Sequence, residues 1–272
     1  MTLRVAYLLD DTGISNRNAL ALAQADALAA RGHEVRIVTP GLPLTWRSSR
    51  AEWVYVDEFR EYDATRDDVA IPAADIPRVL VVDDAFYRAK SSPEKEPMRV
   101  LLSGESQNET DGVHEGYGAA AHARWFHQKF DLIRAAAWAP EKDEPLDAVQ
   151  EFHVALTADE TVRLVHSADV IIAPSHADEP FGLAAARAMA AGVPVVMTSI
   201  SAHAFDPVRD FAQFAPEDNA VELGEKLIEV LTDPDLRERL RKRGREVAQR
   251  WRAENAAPRL EKFLHDRSSR SS

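Results

Sequence analysis

The sequence predicts an α/β protein with two parallel-sheet domains, and three observations support this fold class. Residues 167–196 read as a buried strand, a polar loop, a helix and a second buried strand. Residues 3–39 read as strand, helix and strand, and the same alternation resumes after Arg99. Alternating strands and helices form parallel sheets that are covered by helices on both faces.

The first domain is predicted to contain four strands and one long helix. An Ala/Leu-rich helix over 18–31 has Asn16 or Asn18 as its cap and ends at Gly32, because glycine readily adopts the backbone conformation that closes a helix. No regular element is predicted between Arg60 and Ile76. The predicted strands cover residues 3–9, 35–39, 52–59 and 78–83.

The second domain shows the same alternation and ends in helices. Residues 99–105 read as a buried strand that runs into a turn at Gly104. Thr157, with Glu160 three residues later, forms a capping box that starts a helix ending near Ser167. Further strands are predicted over 131–136 and 151–154, and further helices over 113–128, 217–231, 234–250 and 253–265.

A change in composition marks the domain boundary. Residues 91–97, Ser-Ser-Pro-Glu-Lys-Glu-Pro, form a charged stretch that is rich in turn formers. The predicted divisions are a first domain over 1–88, a linker over 89–97, a second domain over 98–252, and a closing helix with a disordered tail over 253–272. A first domain of about 85 residues is shorter than the usual doubly wound sheet, so it is predicted to be truncated.

Composition excludes several classes of protein. The 272 residues are 45% hydrophobic and 29% charged, as in a globular protein, and carry a net charge of -12, which disfavours binding to nucleic acid. The absence of cysteine excludes disulfides, thiolate metal sites and a cysteine nucleophile. The chain starts with a strand-like sequence and has no run of 18 apolar residues, so no transmembrane segment and a cytoplasmic location are predicted.

Residues 167–196 also predict a binding site. The helix that opens at Phe181, Gly182 and Leu183 follows a buried strand, so its first N–H groups lie at the carboxyl edge of the sheet. Glycine at 182 permits close approach of a ligand. Parallel α/β proteins bind phosphate-bearing small molecules at this edge, and the sequence therefore predicts a nucleotide-sugar site.

The same stretch resembles the donor-binding signature of retaining GT-B glycosyltransferases of the glycosyltransferase-4, or group 1, kind. That signature has an acid, Phe-Gly-Leu, a second acid eight positions after the first, and Ala-Met-Ala-x-Gly-x-Pro. Here the first acid is Glu179, and the matching residues are Phe181, Gly182, Leu183, Ala188, Met189, Ala190, Gly192 and Pro194. Residues 29–40 resemble the first βαβ unit of the family, and bacterial rhamnosyltransferase-like members are the most similar in character.

The resemblance implies two Rossmann-like domains and transfer of a sugar from a nucleotide-diphosphate donor to an unknown acceptor. It implies retention of configuration, no metal and no cofactor. Glu179 would be the catalytic residue that contacts the donor sugar; the alternative is a helix N-terminal acid that interacts with the helix dipole. The substrate-binding residues would be Gly13, Ile14, Gly104, His176, Phe181, Gly182, Leu183 and Arg187.

Three positions depart from the family pattern. Arg187 replaces the second acid, and Glu105 and Asp111 stand where the family places an Arg and a Lys that hold the diphosphate. Acids at these positions would repel a diphosphate. Arg187 either turns toward a phosphate or lies on a solvated helix face. His176 is either a polar contact of the site or an ordinary loop residue.

These departures leave two functional hypotheses. In the first, the protein is an active glycosyltransferase. In the second, it is a catalytically degenerate relative that acts as a binding or partner subunit. The truncated first domain would leave a sheet edge or an apolar face exposed, which predicts a homo-oligomer or a partner protein that completes the domain.

Overall fold

The computed structural model describes residues 2–11, 13–40, 46–88, 96–104, 111–126, 128–176, 182–199 and 210–271. These residues form two compact units. Unit 1 comprises Met1–Asp84 together with Arg250–Ser272, and unit 2 comprises Ala85–Gln249. The sequence instead placed the first boundary at a linker over 89–97 and the second at residue 252.

Unit 1 contains a four-stranded parallel sheet with the strand order β3-β2-β1-β4. Its strands are β1 (Arg4–Leu8), β2 (Glu34–Thr39), β3 (Glu52–Tyr55) and β4 (Val69–Pro72), and its helices are α1 (Asn16–Ala29) and α7 (Ala253–Ser271). Short 3₁₀ turns, rather than an α-helix, connect β3 to β4. Ala23 and Ala27 of α1 pack in one buried cluster with Ala256 and Ala257 of α7.

Two sequence predictions for unit 1 are wrong. Strand β4 lies in the interval 60–76, where no element was predicted, and it pairs with β1. Residues 78–83 do not form a strand. Val81 is buried against α1 and α7, and the side-chain amide of Gln24 donates to the carbonyls of Pro77 and Val79 at 2.8 Å each. A side chain therefore satisfies backbone groups that a neighbouring strand would otherwise pair.

The cap of α1 also differs from its prediction. Ser15 precedes the helix, and its hydroxyl oxygen accepts the N–H of Asn18 at 3.1 Å. Asn18 is inside the helix and buried, where its side chain donates to Asp11 and Gly13. Serine is as good a cap as asparagine, so the composition of this segment does not distinguish the two.

Unit 2 contains a six-stranded parallel sheet with the strand order β10-β9-β8-β5-β6-β7. Its strands are β5 (Met98–Ser103), β6 (Phe130–Ala136), β7 (Glu151–Val154), β8 (Val170–Ala173), β9 (Val195–Thr198) and β10 (Gln213–Ala215). Its helices are α2 (Val113–Trp125), α3 (Ala158–Ser167), α4 (Leu183–Ala191), α5 (Ala220–Thr232) and α6 (Pro234–Ala248).

The predicted fold class, two parallel-sheet α/β domains, is confirmed. Every residue of β8 and β9 is buried, as expected for strands that helices cover on both faces. Gly118 and Gly224 allow α2 and α5 to approach closely, since a Cβ on Gly224 would lie 2.9 Å from the carbonyl oxygen of Ala119. Within the described residues, no helix combines the length and the apolar character needed to cross a membrane.

Candidate functional site

The strand order of unit 2 reverses between β5 and β8. After β5 the chain adds β6 and β7 on one side, and it then returns to place β8 on the other side of β5. Loops that leave two such strands at their carboxyl ends diverge and open a crevice, which is where open parallel sheets bind ligands. Here the two loops begin at Gly104 and at Pro174.

Glycines bring these two loops close together. Gly104 has φ +142°, and a Cβ on it would lie 3.0 Å from the Cβ of Asp111. Gly112 has φ +63°, and a Cβ on it would lie 1.9 Å from the carbonyl oxygen of Pro174. No other residue can hold this approach, so the start of α2 packs directly against the loop after β8.

The two helices that follow the strands at the reversal point have unusual beginnings. The N-cap residue of α2 is Gly112 and that of α4 is Gly182; both are left-handed, and neither supplies a side-chain cap. In contrast, side chains cap the other helices whose caps the structure describes. These capping residues are Ser15 of α1, Thr157 of α3, Asn219 of α5 and Asp233 of α6. A glycine start leaves the first N–H groups of α2 and α4 without a side-chain acceptor from the cap position.

Gly182 and Leu183 stand where the sequence predicted them, at the start of α4. Gly182 has φ +54° and is buried, and its carbonyl accepts the N–H of Ala186 at 3.0 Å. Leu183 is the first helical residue and is buried. Glu179 and Phe181 lie outside the described residues, and so does Glu105, so their predicted roles stay predictions.

His176 lies in a small polar cluster after β8. Its Nε2 is 3.0 Å from Oε2 of Glu115, and its Nδ1 is 3.7 Å from Oε1 of Glu217. The second oxygen of Glu115 accepts the N–H of Asn219 at 3.0 Å. The side chain of Glu115 is only 8% exposed, whereas that of His176 is 24% exposed. The cluster therefore joins the start of α2, the loop after β8 and the start of α5.

The same cluster has a donor set that a divalent cation could use. Ligand atoms of Glu115, His176 and Asp218 lie within 4.8 Å of one another. One imidazole nitrogen with carboxylate oxygens is a set that transition metals accept. In the structure, the imidazole of His176 and the carboxylate of Glu115 are hydrogen-bonded directly to each other.

Arg187 lies on the second turn of α4 and is half-buried. Its guanidinium carbon is 5.3 Å from the ring centroid of Phe86, which is itself 2% exposed. This is the geometry of a cation–π contact. The contact covers one face of the guanidinium and leaves the side chain half-exposed, so both alternatives, toward a phosphate or on a solvated helix face, stay predictions.

Asp111 is buried, with 9% of its surface exposed. It precedes the Gly112 cap of α2, and its carboxylate packs against Gly104. The acid that departs from the family pattern therefore helps to close the turn after β5.

Gly13 and Ile14 belong to unit 1, at the end of the turn that follows β1. The N–H of Gly13 donates to Oδ1 of Asp11 at 2.7 Å, and the carbonyl of Gly13 accepts from the side chain of Asn18 at 2.9 Å. Neighbouring side chains thus occupy the polar groups of this glycine.

Sequence reasoning missed Glu115, Glu217 and Asp218. Glu217 and Asp218 directly precede the Asn219 cap of α5, and Glu115 is in the first turn of α2, so each stands at a helix start. Acids at helix starts are common, and nothing in their spacing along the chain connects residue 115 with residues 176 and 217.

A comparison with known proteins matches one part of this site, the loop after β8 and helix α4, to a family model. Residues 142–247 match the family model described as glycosyl transferases group 1. Glycogen synthase of Mycobacterium tuberculosis, in strains CDC 1551 / Oshkosh and H37Rv, is 32% identical over 120 residues, which are 41% of this chain. The chain covers only 28% of the length of these relatives.

Solved structures extend the similarity to the whole chain. WaaG, a glycosyltransferase involved in lipopolysaccharide biosynthesis, aligns over 96% of this chain and 99% of its own, with 16% identity and a TM-score of 0.67. Sucrose-phosphate synthase from Thermosynechococcus elongatus aligns over 99% and 100%, with 16% identity and a TM-score of 0.65. HepE from Anabaena, solved with UDP and glucose, aligns over 97% and 99%, with 11% identity and a TM-score of 0.65. The chain therefore has the GT-B fold, and its segment 142–247 matches the model of the group 1 glycosyl transferases.

Proposed function

We propose that the protein is a glycosyltransferase that moves a sugar from a nucleotide-diphosphate donor to an acceptor. One observation carries this proposal: the helices after β5 and β8, at the reversal point of the sheet, both begin at left-handed glycines without side-chain caps. Helix starts of this kind bind phosphate through backbone N–H groups and the helix dipole. The start of α4 also lies within the segment that matches the family.

The donor would bind along this edge of unit 2. The N–H groups at Gly182 and Leu183 would donate hydrogen bonds to the diphosphate, and the glycine would allow the phosphate oxygens to come close. Glu179 would contact the donor sugar as the catalytic carboxylate, and Phe181 would add to the same helix start. The fold that HepE uses to hold UDP and glucose is the fold of this chain, which supports a nucleotide sugar as the ligand.

Arg187 and His176 complete the proposed donor site. Arg187 carries donors only, so it cannot accept hydrogen bonds from ribose hydroxyls as a carboxylate would. Held against Phe86, its guanidinium would contribute positive charge toward the phosphates instead. His176, oriented by Glu115, would offer Nδ1 as a polar contact.

Further features belong to the same proposal. Transfer would retain the configuration of the sugar and use neither a metal nor a cofactor, in line with the family resemblance. Unit 1 would be a shortened acceptor-side domain that contributes Gly13 and Ile14, and self-association or a partner protein would complete it. The proposal also includes a similarity to bacterial rhamnosyltransferase-like proteins and a cytoplasmic location.

Two experiments test the proposal. Calorimetric titration with UDP, GDP, ADP and dTDP should show binding of at least one nucleotide below millimolar concentration. With the matching nucleotide sugar, sugar release or transfer should fall about 100-fold or more in Glu179→Ala. Glu238→Ala is the matched control, because that carboxylate is 75% exposed on α6 and should leave activity unchanged.

The outcomes separate the two functional hypotheses. No interaction with any of the four nucleotides at millimolar concentration would refute the proposed donor site. Binding without turnover would instead support the degenerate, binding-only alternative.

A further inference from the structure

Strand β6, which lies next to the edge strand β7 of the unit 2 sheet, buries a charged side chain. Arg134 lies between Leu102 of β5 and Phe152 of β7, and its side chain is fully buried. Its Nε donates to Oε1 of Glu144 at 2.8 Å, and the side chain of Glu144 is also fully buried. A buried charge is costly unless it is paired, and this pair meets that condition.

The guanidinium of Arg134 also holds backbone groups at the carboxyl edge of the sheet. Its Nη1 donates to the carbonyl of Gly104 at 2.7 Å and to that of Ala135 at 2.5 Å. The N–H of Gly104 donates to the same carbonyl of Ala135 at 3.2 Å. The ends of the neighbouring strands β5 and β6 are thereby fixed to each other at Gly104 and Ala135.

The same pair reaches helix α2. The hydroxyl of Tyr117 donates to Oε1 of Glu144 at 2.7 Å. Burial, together with this hydrogen bond to a carboxylate, raises the pKa of Tyr117 far above its ordinary value, so the hydroxyl keeps its proton. Arg134 and Glu144 therefore connect the turn at Gly104 with the helix that starts after Gly112.

Stability alone does not account for such a pair. Replacing a buried ion pair with apolar residues of similar size is often neutral or stabilising, because desolvation offsets the attraction of the charges. What an apolar pair cannot reproduce is the hydrogen bond from Arg134 to the Gly104 carbonyl. The specific consequence of the pair lies at the turn after β5.

We propose that Arg134, oriented by Glu144, is a positioning residue that holds the Gly104 turn and the start of α2 in the geometry that binds the donor diphosphate. This inference rests on the proposed function and deepens it. Arg134 does not touch the ligand; it acts through the carbonyl of Gly104. The family signature does not contain this residue, and its effect should appear in donor binding rather than in folding.

The test is the double variant Arg134→Met/Glu144→Leu, which removes both charges together; the hydroxyl of Tyr117 is then the buried donor that loses its acceptor. Its matched control is Arg99→Met/Glu151→Leu. Arg99 and Glu151 form a more exposed ion pair at 2.5 Å, which lies at the amino ends of β5 and β7. Each variant is assayed by thermal unfolding, by titration with UDP, GDP, ADP and dTDP, and by hydrogen exchange of the amides that flank Gly104 and Gly112.

The inference predicts a specific combination of results. The Arg134→Met/Glu144→Leu variant should unfold about a few degrees below the wild type, because the Tyr117 hydroxyl loses its acceptor. It should also exchange faster at the amides around Gly104 and bind nucleotide about tenfold more weakly or worse. The Arg99→Met/Glu151→Leu control should bind as the wild type does. Arg134→Lys with Glu144 intact should recover part of the binding, since lysine keeps a donor but not the fork.

Three outcomes would overturn the inference. Equal nucleotide affinity in the wild type and the Arg134→Met/Glu144→Leu variant would show that the pair does not position the donor site. An equal loss of affinity in both double variants would assign the effect to general destabilisation. If the wild type binds none of the nucleotides, the proposed function fails, and this inference fails with it. That outcome differs from the first two because the wild type alone shows it.

Discussion

The first strand-to-helix turns of the two units have the same place in the fold but different chemistry. In unit 1 the turn after β1 uses Asp11 and Asn18 to occupy the N–H and carbonyl of Gly13, and Ser15 caps α1. In unit 2 the turn after β5 is held from inside the sheet by Arg134, and α2 begins at a glycine without a side-chain cap. The first turn is already saturated by its own sequence neighbours, whereas the second presents a helix start to a ligand.

Among the described residues, this difference favours unit 2 over unit 1 for the proposed phosphate site. Glycine at the N-cap costs helix stability relative to serine or asparagine, since it supplies no acceptor. At α2 and α4 this cost coincides with the reversal point of the sheet, where α/β proteins bind their ligands. The two helices that lack a side-chain cap are therefore the two whose N–H groups a bound diphosphate would accept from.

The largest predicted effect is a difference in the free energy of unfolding between alanine variants of two left-handed glycines, one in each unit. Gly112→Ala would place a Cβ 1.9 Å from the carbonyl oxygen of Pro174, whereas Gly32→Ala meets nothing within 4 Å. We expect Gly112→Ala to lower the free energy of unfolding by about 3 kcal/mol or more through overpacking and backbone strain. Gly32→Ala should cost only about 1 kcal/mol, from its positive φ.

Urea denaturation of the two variants checks this difference. Nucleotide affinity measured on the same samples should fall in Gly112→Ala and stay unchanged in Gly32→Ala. Equal destabilisation of both would show that the start of α2 does not pack against the loop after β8.

A smaller effect is the acid destabilisation that comes from an ion pair away from the site, Arg99 with Glu151. Hydrogen bonding to Arg99 lowers the pKa of Glu151 from 4.5 to about 2. A lowered pKa means that the folded state favours the charged carboxylate, so this contribution is complete above pH 4.5 and is lost as the pH falls through 2. The side chain of Glu151 is 41% exposed, so solvent screening limits the expected loss to about 1 kcal/mol.

Glu151→Gln checks this expectation. Unfolding in urea at pH 5 and at pH 2.5 should show a smaller acid destabilisation in the variant than in the wild type. Parallel pH curves for the two proteins would contradict the assignment. Nucleotide affinity at pH 7 should stay the same, because Glu151 lies at the amino end of its strand.

The sequence predicted unit 2 better than unit 1, for a physical reason. Buried parallel strands appear as continuous apolar runs, and the capping box at Thr157 and Glu160 is present as predicted. In unit 1 the apolar run 78–83 is buried as well, but Gln24, a distant side chain, satisfies its carbonyls. An apolar run indicates burial, and it does not indicate which partner pairs the backbone. Strand β4, Val69-Ala-Ile-Pro72, ends in a proline and lies in a stretch rich in acids, so its sequence did not indicate a strand.

The candidate site was predictable only in part. The glycines and the helix start at Leu183 follow from local rules about turns and helix ends. The partners of His176, and the Arg134–Glu144 pair, depend on residues that are distant along the chain or that alternate with apolar neighbours in a strand. An arginine inside an apolar strand, Leu132-Ile133-Arg134-Ala135, was the available signal, since charged residues are rarely buried without a partner.

The most direct test of the account compares two variants of Gly182 by nucleotide titration. Asparagine and aspartate both tolerate the left-handed backbone at this position, have nearly the same shape, and differ in charge. If α4 receives the donor diphosphate, Gly182→Asp should bind the nucleotide about tenfold more weakly than Gly182→Asn, with equal thermal stability. Equal affinity of the two variants would contradict a diphosphate at the start of α4.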